Sequence, residues 1–167
     1  KLLDNDIRAY LSKVKQNEEL IDSWTQFPLN DNYDVDDYGP INEIVNWKDR
    51  VYFIQDKAFG AYSINRTAVT TTTDGIPTEL GSGSGFTKHQ YYSKEHGSIH
   101  QWGVKTTETG IYIFDAIHRK IHVLTGGVNT LSEIKGMHSW VNNLPPGVFL
   151  RKENGGDNPI LNAGVTI

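Results

Sequence analysis

Residues 95–102 read EHGSIHQW, which sets Glu95 next to His96, Ser98 and His100 at alternating positions. A serine hydrolase uses these types: a hydroxyl as nucleophile, an imidazole within hydrogen-bond reach to take its proton, and a carboxylate to orient the imidazole. On a β-strand His96, Ser98 and His100 would share one face. Successive same-face residues stand ~6.5–7 Å apart, however, so the three groups would be spread along it instead of converging. The G-x-S-x-G turn that presents a nucleophilic serine is also missing. The stretch therefore reads as the opening strand of a β-meander, with hydrolysis centred on His96, Ser98 and His100 as a competing reading. No catalytic residue is assigned.

Three other patterns could do chemistry. His118 and His122 have the spacing of half a zinc-protease helix motif, but Arg119 stands where that motif has glutamate and the setting is a strand. A solvated or interface strand face is the expectation there, not ligation. GSGSGFTK at 81–88 is Gly-rich but lacks the Gly-Lys-Ser/Thr order of a phosphate cradle, so it reads as a flexible loop. In the acidic stretch, Asn32, Asp34, Asp36, Tyr38 and Glu43 fall at positions 1, 3, 5, 7 and 12 of an EF-hand-type calcium loop. Asp37 replaces the glycine required at position 6, and position 1 is not aspartate. Asn32, Asp34, Asp36 and Glu43 are the sequence's calcium candidates, set against a solvated loop whose Asp and Asn make turn hydrogen bonds. Beyond them no metal and no cofactor is assigned.

The elements that would position these groups are mostly strands. Ile7, Tyr10, Leu11 and Val14 follow helical spacing behind Asp4 and Asn5, which predicts a helix over 5–16. PLNDNYDVDDYGP at 28–40 reads as a loop, so 1–40 is a helix and an acidic loop leading in to the strands. Strands are expected at 41–46, 50–55 and 59–64, giving a first blade-like meander over 41–69. A Gly/Thr-rich inserted loop is expected over 70–95. A second meander with an appended helix is expected over 96–146, and a truncated start of a further element over 147–167. The two meanders repeat one order, strand, polar turn, Ile/Val-Tyr-aromatic strand, polar turn, strand; their central strands start at Val51 and Ile111, 111 − 51 = 60 positions apart. Blade repeats run to about 40–50 residues, and the inserted loop accounts for the excess.

Alternation through 117–124 places Ile117, Arg119, Ile121 and Val123 on the expected core face and His118, Lys120, His122 and Leu124 on the other. Thr130 and Glu133 make a capping box for a helix over 131–142, with Ile134, Met137, Val141 and Leu144 on its apolar face. The fold class is thus mainly β: antiparallel meanders resembling β-propeller blades with short flanking helices, in an incomplete propeller fragment.

Composition bounds the function. The chain has 167 residues, room for one domain, with 22% charged residues, 37% hydrophobic residues and a net charge of −4, the balance of a soluble globular protein. That charge does not invite tightly held nucleic acid. Absence of cysteine excludes disulfides and thiolate metal sites. No apolar run approaches the roughly 20 residues of a membrane span, so no membrane insertion is expected.

Six stretches in order, DVDDYGPINEIV at 34–45, VYFIQDKAFGAYSINR at 51–66, LGSGSG at 80–85, YYSKEHGSIHQWGV at 91–104, GIYIFDAIHRKIHVL at 110–124 and TLSEIKGMHSWV at 130–141, resemble the propeller region of the muzzle, or tail nozzle, proteins of crAss-like bacteriophages. More distantly the pattern is similar to nozzle and packaged-DNA stabilisation proteins of other short-tailed phages. The resemblance spans roughly residues 30–165. It implies a non-enzymatic structural protein of the phage tail, assembled in the bacterial cytoplasm, in a homo-oligomeric ring that closes the distal DNA channel. Implied partners are other chains of the same tail assembly, including the remainder of the muzzle protein, with genomic DNA only as passing cargo. Because aromatics are enriched in interface cores, Tyr91, Tyr92, Trp102, Trp140 and Phe149 are the expected interface residues. The alternative is a glycan-binding propeller recognising a bacterial surface, with Trp24, Trp47 and Trp102 stacking on sugar rings.

Overall fold

A computed structural model describes residues 6–13, 25–64, 68–71, 77–80 and 85–150. The strands among these residues are, in chain order, β1 (Arg8–Tyr10), β2 (Asn32–Asp34), β3 (Ile41–Trp47), β4 (Arg50–Gln55), β5 (Phe59–Ile64), β6 (Ala68–Thr71), β7 (Pro77–Leu80), β8 (Phe86–Ser93), β9 (Val104–Thr106), β10 (Ile111–Asp115), β11 (Lys120–Leu124) and β12 (Val128–Thr130). Two short helices come next, α1 (Leu131–Ile134) and α2 (His138–Asn142), then a 3₁₀ turn at Pro146–Phe149. The chain is mainly β, as its alternating apolar pattern requires. It divides into two compact units, one of residues 1–36 and 62–90, the other of residues 37–61 and 91–167.

In the first unit, β1 pairs antiparallel with β2, and β6 with β7. This corrects two expectations. The stretch expected as helix 5–16 contains a strand, and the loop 28–40 contains its partner. Arg8 sets the register by donating from Nε and Nη2 to the two carboxylate oxygens of Asp34, at 2.6 and 2.7 Å. Leu11 N–H donates to Asp31 O, and Val35 N–H to Ile7 O, extending the pairing on both sides. A helix of about three turns has a costly nucleus, and a ladder to a distant strand outcompetes it. Tyr33, Tyr62, Phe86 and His89 form an edge-on and tilted ring cluster, with the Tyr33 hydroxyl 2.9 Å from His89 Nδ1. Strands β6, β7 and β8 also occupy much of the expected loop 70–95.

The second unit carries most of the core. β3, β4 and β5 form an antiparallel meander, and β8 completes a four-stranded sheet in the order β3-β4-β5-β8. The β3–β4 hairpin closes through Lys48 (φ 50) and Asp49 (φ 58), two left-handed residues between the Trp47–Arg50 pair. That is the turn whose twist matches the flanking strands. β9 to β12 make a second four-stranded sheet in strict up-and-down order. Trp47, Tyr52, Ile54, Phe59 and Ala61 of the first sheet pack with Val104, Ile111, Ile113 and Leu124 of the second in one buried cluster. Trp47 Nε1–H donates to Thr107 O at 2.9 Å and ties the indole to the segment between β9 and β10.

Three local expectations change here. HGSIHQW is irregular, and the strand after it begins only at Val104. In β11 Val123 is buried at 7% exposure as expected, but His122 and Leu124 on the opposite face are buried too, at 0% and 2%, while Ile117 is 45% exposed. Residues 116–119 form a turn, with Arg119 at φ 55, so strand alternation cannot be extended back through them. The expected helix 131–142 is two pieces, because Gly136 at φ 65 takes the left-handed conformation that ends a helix. Of its expected apolar face Val141 is buried, and Ile134 is 65% exposed. The rest of the expected element over 147–167 lies beyond residue 150, outside the described residues.

Candidate functional site

The β10–β11 turn is built around Asp115. Its Oδ1 accepts the backbone N–H of His118 at 3.0 Å, a local closure typical of aspartate in turns. That bond aims Oδ2 inward. Three imidazole nitrogens meet it: His118 Nδ1 at 2.7 Å, His96 Nδ1 at 3.4 Å and His122 Nε2 at 3.7 Å. Asp115 is 1% exposed and His122 0%, whereas His96 and His118 stand nearer to solvent. The His96 ring stacks on that of His122 with centroids 4.2 Å apart, and meets that of His118 edge-on at 5.1 Å.

Each ring is set by its own element. His122 is on β11, and its Nδ1 lies 3.3 Å from the Thr130 hydroxyl of β12. The expected capping box is therefore dismantled. Thr130 makes no side-chain cap bond, and Glu133 instead pairs with Lys120 of β11 at 2.7 Å. His96 is held by its backbone N–H on Ser93 Oγ and by the close passage of Gly97 against Gln55 and Asp56. Burial lowers the pKa of His96, and the neighbouring His122 adds to this. Burial alone would raise Asp115, but the contacts from His122 and His118 outweigh it and hold the carboxyl below its usual value. His96 Nδ1 and His122 Nε2 are buried nitrogens without a hydrogen-bond partner. One donor atom from each of His96, Asp115 and His122 lies within 4.8 Å of the others, a two-nitrogen, one-oxygen donor set.

Sequence reasoning weighed His118 and His122 as a pair and missed their partners. The local signal is Asp115-x-x-His118-x-x-x-His122 across a turn, in which the carboxylate precedes the histidines where the zinc-protease motif places it between them. His96, far off in sequence, could not be added without the pairing of β9 with β10.

The expected hydrolase residues are bound elsewhere. Ser98 Oγ donates to His100 O at 3.2 Å and accepts from His100 N–H at 3.4 Å. His100 Nε2 donates to Val148 O at 2.7 Å, so this nitrogen carries its proton and faces a carbonyl. Both residues are buried, and His96 turns to Asp115.

The calcium candidates do not share one loop. Asn32 and Asp34 lie on the extended β2, Asn32 Nδ2–H donates to Leu29 O, and both Asp34 oxygens bind Arg8. Asp36 stands 3.8 Å from His89, and Glu43 is on β3. Among the expected interface aromatics, Trp102 and Trp140 are 66% and 56% exposed. Tyr91 packs on Phe53 and Tyr38, and its hydroxyl donates to Gln55 Oε1. Tyr92 packs on Tyr52 and accepts from Arg50, and Phe149 lies against Phe114 beneath the Arg119 guanidinium. Trp24 lies outside the described residues, and Trp47 is in the core, which withdraws it from the sugar-stacking set.

The sequence model of the family described as Crassvirus muzzle protein matches residues 2–155. A muzzle protein of Bacteroides phage crAss001 is 25% identical over 132 residues, covering 78% of this chain. The chain spans about a tenth of the length of that relative.

Proposed function

The chain belongs to the Crassvirus muzzle protein family, which makes it a structural component of a phage virion, and from that premise we propose that it is part of a muzzle ring closing the distal DNA channel of the tail. The match over residues 2–155 carries this reading. The two four-stranded antiparallel sheets with a shared core support it, since neighbouring blades of a propeller pack face to face in this way. In this reading β3-β4-β5-β8 is one blade, with β6–β7 inserted before its last strand, and β9–β12 is the next.

The protein then acts by shape and contact, without catalysis. Its partners are other chains of the tail assembly, met in part through the exposed indoles of Trp102 and Trp140. Assembly takes place in the bacterial cytoplasm, and the virion tail is its final location. No helix among the described residues is long and apolar enough to cross a membrane. DNA is passing cargo. A net charge of −4 suits a lumen that does not grip phosphate, because each Lys or Arg contact would add counterion-release affinity and slow passage.

The test is electron microscopy of phage particles decorated with Fab fragments raised against this chain. Label should gather in a ring at the distal end of the tail. Label on the capsid, or particles without label, would overturn the proposal.

A further inference from the structure

The geometry points to a divalent metal site of the zinc type in which His96 Nδ1, Asp115 Oδ2 and His122 Nε2 are the protein ligands. The first support is the orphaned pair of nitrogens. His122 is fully buried, its Nε2 has no hydrogen-bond partner, and it aims at the same carboxylate oxygen as the partnerless His96 Nδ1. Buried polar atoms left unmatched are costly, and one dication between them would satisfy both lone pairs at once.

The second support is metric. Zinc–nitrogen bonds of about 2.0–2.1 Å and zinc–oxygen bonds of about 2.0–2.2 Å in a tetrahedron set donor–donor edges of roughly 3.3–3.5 Å. The edges from Asp115 Oδ2 are 3.4 Å to His96 and 3.7 Å to His122. The nitrogen–nitrogen edge is no longer than 4.8 Å, and because the two ring planes stand only 23° apart, ligation needs the rings to turn toward a common point as that edge shortens.

The third support is the outer layer. Thr130 stands at Nδ1 of His122, where accepting its N–H fixes the tautomer that leaves Nε2 free to ligate. His118 donates to Asp115 Oδ2 while the His118 backbone N–H holds Oδ1, so the carboxylate is oriented twice over. His118 is thus a positioning residue, and water takes the fourth coordination place. Two imidazoles and one carboxylate suit late first-row dications and not calcium, which asks for six to eight oxygens. Such a centre would tie the segment before β9 to β10 and β11, making the metal part of the stability of the second sheet.

The probe is zinc itself. The chain, stripped with chelator and dialysed, is loaded with zinc chloride, desalted and assayed for metal by mass spectrometry, with a melting curve alongside. One zinc per chain and a higher melting temperature are expected. D115N keeps the shape of the turn and removes the ligand charge, and H96Q removes a ligand on the more exposed side; each should weaken zinc binding tenfold or more. H138Q, on α2, should bind as the native chain does. If D115N fails to fold by circular dichroism, H96Q decides. A native chain that retains no zinc, or D115N and H96Q chains that bind it as tightly as native, would overturn the inference. Either result leaves the muzzle assignment standing, because that rests on the family match.

Discussion

Gly97→Ala should unsettle the approach to the histidine cluster, and its size can be worked from contacts. Gly97 is buried, and a methyl group there would run into Gln55 O and come within 2.7 Å of Asp56 C and Asp56 O, all backbone atoms. Ordinary contact begins at 3.4 Å, so the 96–98 segment must retreat by at least 3.4 − 2.7 = 0.7 Å. The Ser98 N–H to Gln55 O bond, now 2.9 Å, would pass out of hydrogen-bond range. The Asn42 Nδ2–H bond to Ser98 O, 2.6 Å, would be strained with it. A buried hydrogen bond broken with its partners left unmatched costs about 1–3 kcal/mol, so a loss of about 1–3 kcal/mol is expected from the Ser98 bond, with any weakening of the Asn42 bond added to it. Urea unfolding of native and variant chains, followed by tryptophan fluorescence, measures it. A loss below about 1 kcal/mol with an unchanged slope would refute the claim that backbone contact fixes this segment.

Two further changes read other parts of the second unit. Asp49→Gly should stabilise the chain by up to about 1 kcal/mol, because glycine relieves the left-handed strain of a side chain at φ 58 and gives back part of that gain in chain entropy; a lower melting temperature would count against the turn assignment. Glu43→Gln tests a carboxyl whose pKa is raised by burial and whose Oε2 has no hydrogen-bond partner. A raised folded-state carboxyl pKa means the folded chain favours the protonated form. The native chain is therefore best placed below the ordinary glutamate value and loses stability as pH rises through the raised one. Glu43→Gln should melt higher at pH 7 by a small margin, since the group is partly solvated, and the two curves should converge in acid. A constant difference across pH would argue that Glu43 does not titrate in this way.

Legibility in the sequence followed the range of the interactions. β3, β4, β5 and β10 pair with neighbours in the chain and carry their apolar alternation within single short runs, so the pattern of Val51–Gln55 and Ile111–Asp115 sufficed. β1 and β2 are three residues each, and their pairing rests on Arg8 reaching Asp34, an interaction between residues 26 apart that no local window contains. β8 was hidden because its polar run, TKHQ, reads as insertion until β5 supplies an edge. Gly136 was visible, and its left-handed break could have been inferred. In the candidate site alternation does not reveal the burial of His122, because β11 is buried on both faces at 122–124 and a one-sided pattern assigns only Val123 to the core. Helix-motif spacing drew attention to His118 with His122, whereas the side chain that gathers the cluster is Asp115, a turn former by its own hydrogen bond.

The two four-stranded sheets differ in how far the chain must travel to finish them. β9 to β12 join neighbour to neighbour, so each closure is a small loop and the sheet can form early in folding. The sheet of β3 to β5 has to wait for β8, with residues 65–85 in between. Closing a flexible excursion grows only logarithmically more costly with its length, about 0.6 kcal/mol per doubling, so this late-joining strand tolerates a connection of almost any size. The hairpin β6–β7 therefore occupies the position in the chain where new sequence could be added with the least disturbance to the sheet whose strands precede and follow it in sequence.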